Sequence, residues 1–172
     1  MTEIERKFLV RELPEGLESY PSKEIVQGYL AVVEEQVEVR VRRKAELFLL
    51  TVKRPLPGDR GLARDEIEIE ISREQFEALW PATAGRRVEK RRYAVPVEGG
   101  VADVDVYGGD LEGLVTAEVE VPTLEAARAF VPPAWLGTEV TADGRYKNRN
   151  LALDGRPPQE PAVDGAREGG PA

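Results

Sequence analysis

Along most of the chain, apolar and polar residues alternate one by one, which is the period of a β-strand. The alternation predicts eight strands: Thr2–Val10, Glu24–Val33, Gln36–Lys44, Leu47–Lys53, Arg64–Ile71, Arg86–Val97, Val101–Val106 and Leu114–Val121. Turn-rich stretches such as PLPGDRG and VEGG separate them. The period changes in three places. Ser72-Arg-Glu-Gln75 has the form of a capping box and precedes Phe76, Leu79 and Trp80 at helical spacing. Thr123 is placed to cap a second helix carrying Leu124, Ala127 and Val131, stopped by Pro132 and Pro133. A third short helix is expected over Arg145–Leu153. From Asp154 to Ala172 the chain is rich in Pro, Gly and Ala without apolar period, and reads as a disordered, non-catalytic tail. The domain is then 1–153. The expected fold is mainly β (α+β): a closed eight-stranded antiparallel β-barrel with a few flanking helices, whose interior has room for side chains or one small ligand.

Within the strands, like charges recur two positions apart. The series are Glu3 and Glu5 before Lys7, Arg40 with Arg42, Glu66 with Glu68 and Glu70, Lys90 with Arg92, Asp103 with Asp105, and Glu118 with Glu120; Lys53 closes its strand alone. Alternate side chains point to opposite faces, so most strands have one charged and one apolar face. Alternation alone fits a sheet with its charged face in water equally well. Two features point the charges inward instead. Charges of one sign cluster within a strand although they repel, and the amphipathic helices need an apolar partner that outward apolar faces would supply. Enclosed charges must then face opposite charges or a ligand. Carboxylates hold divalent cations and basic groups hold phosphate oxygens, so a metal–polyphosphate complex satisfies both. Glu70 and Asp103 extend their stripes towards the rim. Tyr29 and Tyr146 read as packing residues with a polar tip.

Composition narrows the chemistry. The chain has no cysteine and no histidine. Thiolate sites, disulfides, the usual general base and the usual zinc or copper ligand are therefore absent. Any metal must be held by oxygen, which favours Mg²⁺, Mn²⁺ or Ca²⁺. A Ser–His–Asp triad is excluded, and Gly99-Gly100 and Gly108-Gly109 read as turns, not phosphate loops. The formal net charge of −8 argues against coating nucleic acid or an anionic membrane. The charged N-terminus and the lack of any apolar run near ~20 residues make a cytoplasmic protein the expectation.

Glu3-Ile-Glu5-Arg-Lys7 resembles the ExExK signature of the CYTH superfamily, the triphosphate tunnel metalloenzymes. Gln27-Gly-Tyr-Leu30, Arg40-Val-Arg42, Thr51-Val-Lys53, Glu66-Ile-Glu68, Lys90-Arg-Arg92, Asp105, Glu118-Val-Glu120 and Arg145-Tyr-Lys147-Asn148 follow in family order. The set is most similar to small bacterial members that act as inorganic triphosphatases. The resemblance implies an eight-stranded tunnel with a C-terminal helix near one mouth. It implies Glu3, Glu5, Glu118 and Glu120 as metal ligands, with Asp105 as a weaker one. Lys7, Arg40, Arg42, Lys53, Lys90 and Arg92 become a phosphate cradle, which Arg145 and Lys147 approach from the terminal helix. Glu66 and Glu68 would orient the basic residues or assist the attacking water, and with Lys90 they form the catalytic group.

The implied reaction is hydrolysis of tripolyphosphate to pyrophosphate and phosphate with Mg²⁺ or Mn²⁺, two ions being expected. The implied partner is a small triphosphate, with no nucleic acid or membrane; a homodimer is left open. Alternatives are a class IV adenylate cyclase, a nucleoside or thiamine triphosphatase, and, in another class, a non-catalytic polyphosphate-binding module. Aromatic residues are 6% of the chain, which favours a substrate without a base or ring to stack. Without histidine, the base is a carboxylate or a hydroxide held by the metal, which favours alkaline pH.

Overall fold

A computed structural model describes residues 4–33, 37–55 and 64–158. Nine strands form a single antiparallel sheet: β1 (Ile4–Val10), β2 (Ser22–Val33), β3 (Val37–Lys44), β4 (Leu47–Pro55), β5 (Arg64–Glu70), β6 (Arg87–Val97), β7 (Gly100–Tyr107), β8 (Val115–Val121) and β9 (Leu136–Glu139). Their order across the sheet is β5-β4-β3-β2-β6-β7-β8-β1-β9. Three helices accompany them: α1 (Arg73–Leu79), α2 (Leu124–Ala129) and α3 (Asn148–Asp154). No helix among the described residues is long and apolar enough to cross a membrane.

Strands occur at all eight expected places, within about two residues at each end. Thr2, Glu3, Gln36 and the PLPGDRG turn after Pro55 lie outside the described residues. The ninth strand was not expected, because four residues are too few to establish a period. It also alters the architecture. β9 occupies the outer edge of β1, through Phe8↔Glu139 and Val10↔Leu136. Among the described residues β5 pairs with β4 alone. The sheet therefore has two edges where a closed eight-stranded ring was expected: the edge of β1 that a closing strand would need is already taken.

The outward faces are apolar and carry α1 and α2. The Ser72 Oγ accepts a hydrogen bond from the Gln75 N–H (3.1 Å), and the Gln75 side chain accepts one from the Ser72 N–H (2.8 Å), so the capping box starts α1. Phe76 then packs with Val41 and Phe48, flanked by Leu79 and Trp80. The chain next turns at Trp80–Thr83 and lays Thr83 against β2. A Cβ at Gly28 would meet the Thr83 side chain at 2.5 Å, so this close approach requires glycine and accounts for its place in Gln27-Gly-Tyr-Leu30. Thr123 caps α2 by accepting from the Ala126 N–H. The helix is shorter than expected and leaves Leu124 and Val131 exposed; Ala126, Ala127 and Phe130 cover Phe8, Ala117 and Val119 instead.

The expected third helix is divided. Gly144–Tyr146 is a 3-10 turn whose Arg145 N–H is capped by the Asp143 side chain, and α3 begins at Asn148. Tyr146, Leu151 and Ala152 pack against Tyr29, Val88, Tyr107, Leu111 and Leu114, filling one end of the sheet's inner face. α3 runs to Asp154 and Pro157 is buried, so packing continues past residue 153. Residues 159–172, most of the expected tail, lie outside the described residues.

Candidate functional site

Strand register decides which side chains share a face, since directly opposed partners project to the same side. On one half of the sheet Glu68 opposes Thr51, Thr51 opposes Arg40, Glu66 opposes Lys53, and Arg42 opposes Gln27. On the other half Arg92 opposes Asp105, Asp103 opposes Glu118, and Glu118 opposes Lys7. All lie on the face opposite α1 and α2. Lys7, Arg40 and Lys90 are less than a tenth exposed, and Asp105 is fully buried. Charges at the centre of this inner face are therefore buried, which removes the reading in which water covers the whole charged side, although Glu5, Glu66, Glu68 and Glu120 stay exposed.

The β1/β6/β7/β8 wall is one continuous ion-pair network. Lys90 Nζ donates to Asp105 Oδ2 at 2.6 Å. Arg92 donates to both Asp105 oxygens at 2.7 Å, to Asp103 at 3.0 Å and to Glu118 at 2.8 Å. Lys7 Nζ donates to the other Glu118 oxygen at 3.0 Å. α3 joins through Asn148, whose Oδ1 accepts from Tyr107 Oη (3.0 Å) and Lys90 Nζ (3.4 Å). Burial would push Asp105 and Glu118 up. Lys90 and Arg92 outweigh it at Asp105, and Lys7 and Lys90 at Glu118, so both carboxyls stay below their ordinary range. Burial draws Lys90 below the ordinary lysine range despite Asp105.

The β3/β4/β5 wall is more open. Arg42 and the Thr51 hydroxyl both donate to Glu68 at 2.9 Å. Glu66 pairs with Lys53 at 3.0 Å and with Arg40 at 3.6 Å. Glu66 and Glu68 themselves are exposed, on the edge strand. The Nε–H groups of Arg40 and Arg42 are buried with no hydrogen-bond partner, although such donors are normally satisfied. They lie on the inner face, where an acceptor oxygen would complete them.

Among residues proposed from the resemblance, the structure brings Lys7, Lys90, Arg92, Asp105 and Glu118 into one network, and Arg40, Arg42, Lys53, Glu66 and Glu68 into a second. Arg145 is exposed and chelates Asp143, donating at 3.0 Å and 2.6 Å, and Lys147 is exposed ahead of α3. Glu38 and Arg149, which sequence reasoning passed over, form a buried ion pair at 2.9 Å. The available signal was Glu38 standing two positions before Arg40 on the same strand face.

The metal-type residues divide. Glu5 and Glu120 are cross-strand partners, both exposed at the rim, and Glu118 stands two positions inward. Like charges opposed across a ladder destabilise it unless a cation lies between them. An all-oxygen donor set of this kind fits a hard divalent ion. Both oxygens of Asp105 are already engaged by Lys90 and Arg92, the surroundings of a counter-ion. Glu3 lies outside the described residues, and among those described no three acidic side chains cluster closely enough to hold a metal.

These features match known proteins. The family model described as CYTH domain matches residues 1–136, and the chain belongs to that family. The inorganic triphosphatase of Nitrosomonas europaea is 48% identical over 155 residues, covering 89% of this chain and 98% of that protein. The inorganic triphosphatase of Acetivibrio thermocellus is 39% identical over 154 residues, covering 87% of this chain and 92% of its own. A crystal structure of an inorganic triphosphatase superposes with a TM-score of 0.75 at 44% identity, covering 89% of this chain and 95% of that one.

Proposed function

We propose that this protein is a divalent-metal-dependent inorganic triphosphatase that hydrolyses tripolyphosphate to pyrophosphate and phosphate. The observation that carries the reading is the pair of inward-facing basic walls, Lys7–Lys90–Arg92 and Arg40–Arg42–Lys53, each held in place by carboxylates. The unpartnered Nε–H groups of Arg40 and Arg42 support it, as does the name carried by both relatives.

The two walls grip a linear triphosphate from opposite sides, and the sheet is proposed to enclose it as a tunnel. Water attacks the terminal phosphorus, the bridging P–O bond breaks, and pyrophosphate leaves. Lys90 and Arg92 are fixed before substrate arrives, so they meet the charge growing on the leaving oxygen without reorganising. Arg40, Arg42 and Lys53 orient the rest of the chain by charge-assisted contacts. Glu5, Glu118 and Glu120, with Glu3, would hold Mg²⁺ or Mn²⁺, two ions in all. When bound, the metal neutralises phosphate charge and polarises the scissile group. In a chain without histidine, the proton of the attacking water goes to a carboxylate, and Glu66 and Glu68 are exposed carboxylates of this face not assigned to the metal.

A phosphate-release panel tests the proposal: tripolyphosphate, ATP and thiamine triphosphate, each with Mg²⁺, Mn²⁺ or EDTA. Metal-dependent release fastest from tripolyphosphate is expected. Cyclic AMP from ATP would make the protein a cyclase, and binding without turnover a polyphosphate-binding module. The proposed location is cytoplasmic. A homodimer would use the edge strand β5, where Ile67 and Ile69 are about half exposed, and light scattering decides that point.

A further inference from the structure

Every cation of the two basic walls is paired with at least one carboxylate. Two further lysines on the same face are not. Lys23 on β2 is the cross-strand partner of Arg92, and Lys44 is the last residue of β3, two positions beyond Arg42. Lys44 is directly opposite Ile25, two positions from Lys23, so the two lysines stand diagonally across the β2/β3 ladder on one face, with Arg42 and Arg92 beside them. Among the described residues neither lysine has a carboxylate at ion-pair distance. Burial and these three cations draw Lys44 below the ordinary lysine range. Adjacent unneutralised ammonium groups repel, and nothing in the packing compensates. Lys23 is exposed and Lys44 half-buried, so neither contributes much core.

The position of the two lysines matters as much as their charge. At the far end of the inner face, Tyr146, Leu151 and Ala152 pack against Tyr29, Val88 and Tyr107. A phosphate chain seated between the basic walls cannot extend in that direction. It can extend past Arg42 and Arg92, where the lysines stand.

We propose that Lys23 and Lys44 form a further phosphate subsite at the open rim, which takes the fourth phosphate of a linear polyphosphate longer than three. The inference rests on the triphosphatase reading for the placement of the first three phosphates. On it, the protein prefers longer inorganic polyphosphates, and two lysines that match no family motif set that preference.

Calorimetry on the full chain without metal is the test. Tetrapolyphosphate should bind the wild type about tenfold more tightly than tripolyphosphate, the worth of one charge-assisted contact. In K23Q/K44Q that difference should vanish while tripolyphosphate affinity stays within about twofold. Equal losses for both ligands, or a preference retained by the variant, would overturn the subsite. Thermal unfolding without ligand supplies a second readout. Relief of the repulsion should leave the double variant at least as stable as wild type, and a clear drop would make the lysines structural and end the proposal. If the wild type hydrolyses neither polyphosphate, the triphosphatase reading fails, and calorimetry still decides whether the lysines recognise a fourth phosphate.

Discussion

Glu38 and Arg149 form a buried ion pair, Arg149 Nη1 donating to Glu38 Oε1 at 2.9 Å across 111 positions of sequence. It fastens α3 to β3 and helps shape the filled end of the inner face. Each side chain is about a tenth exposed or less, so removing one partner takes a buried opposite charge from the other. Arg149→Met should destabilise the fold by about 3–5 kcal/mol, read by urea unfolding, and adding Glu38→Leu should recover most of that loss.

Asp105 is the shared counter-charge of Lys90 and Arg92. Asp105→Asn leaves two enclosed cations short of a partner and should destabilise the protein by about 3–5 kcal/mol. The metal concentration for half-maximal rate should not change. A large shift in that concentration, with stability intact, would make Asp105 a metal ligand after all.

Glu5 and Glu120 stand opposed at the rim. Glu5→Gln and Glu120→Gln should each abolish metal-dependent phosphate release, leaving circular dichroism and the unfolding midpoint near wild type, since both are exposed. Normal turnover of tripolyphosphate by either variant removes that residue from the metal site.

Arg40 contacts Glu66 only at 3.6 Å and keeps a buried Nε–H without a partner. Arg40→Ala should raise KM for tripolyphosphate by about tenfold or more, with a smaller fall in kcat. Steady-state kinetics check this, and unchanged values place Arg40 outside the site.

The pH dependence follows from the ionised network. Asp105 and Glu118 titrate below their ordinary values of 3.8 and 4.5 in the folded protein. Between the folded and unfolded values the unfolded chain binds more protons. The stability they contribute is thus present above the ordinary carboxylate range and is lost as pH falls through the folded values. Melting temperature should drop steeply below about pH 4.5, and less steeply in Glu118→Gln. Lys90 titrates below its ordinary 10.5, so activity should decline on the alkaline side before that value is reached.

Much of the fold could be read directly. Alternation located β1 to β8, because a half-buried strand must repeat every second residue, and Ser72 and Thr123 announced their helices by local hydrogen bonding. β9 was too short to show a period. The spacing of Arg40 and Arg42, or of Glu66 and Glu68, established that each pair shares a face. It carried no information on what stands opposite: Lys7 meets Glu118 at 111 positions' distance. Lys23 and Lys44 escaped notice because each is a lone lysine near a strand end, unremarkable until register brings them together.

By itself the sequence determined the local periods, the helix caps, the absence of any thiolate or imidazole ligand and the sign of charge on each strand face. These depend on neighbours within a few residues, or on which side chains exist at all. Only the tertiary structure decided that Lys7, Arg40, Lys90 and Asp105 of the charged face are buried, that β9 takes the edge of β1, that α3 fills one end, and which acid neutralises which base. Those outcomes depend on burial and on contacts between distant strands, which no local pattern encodes.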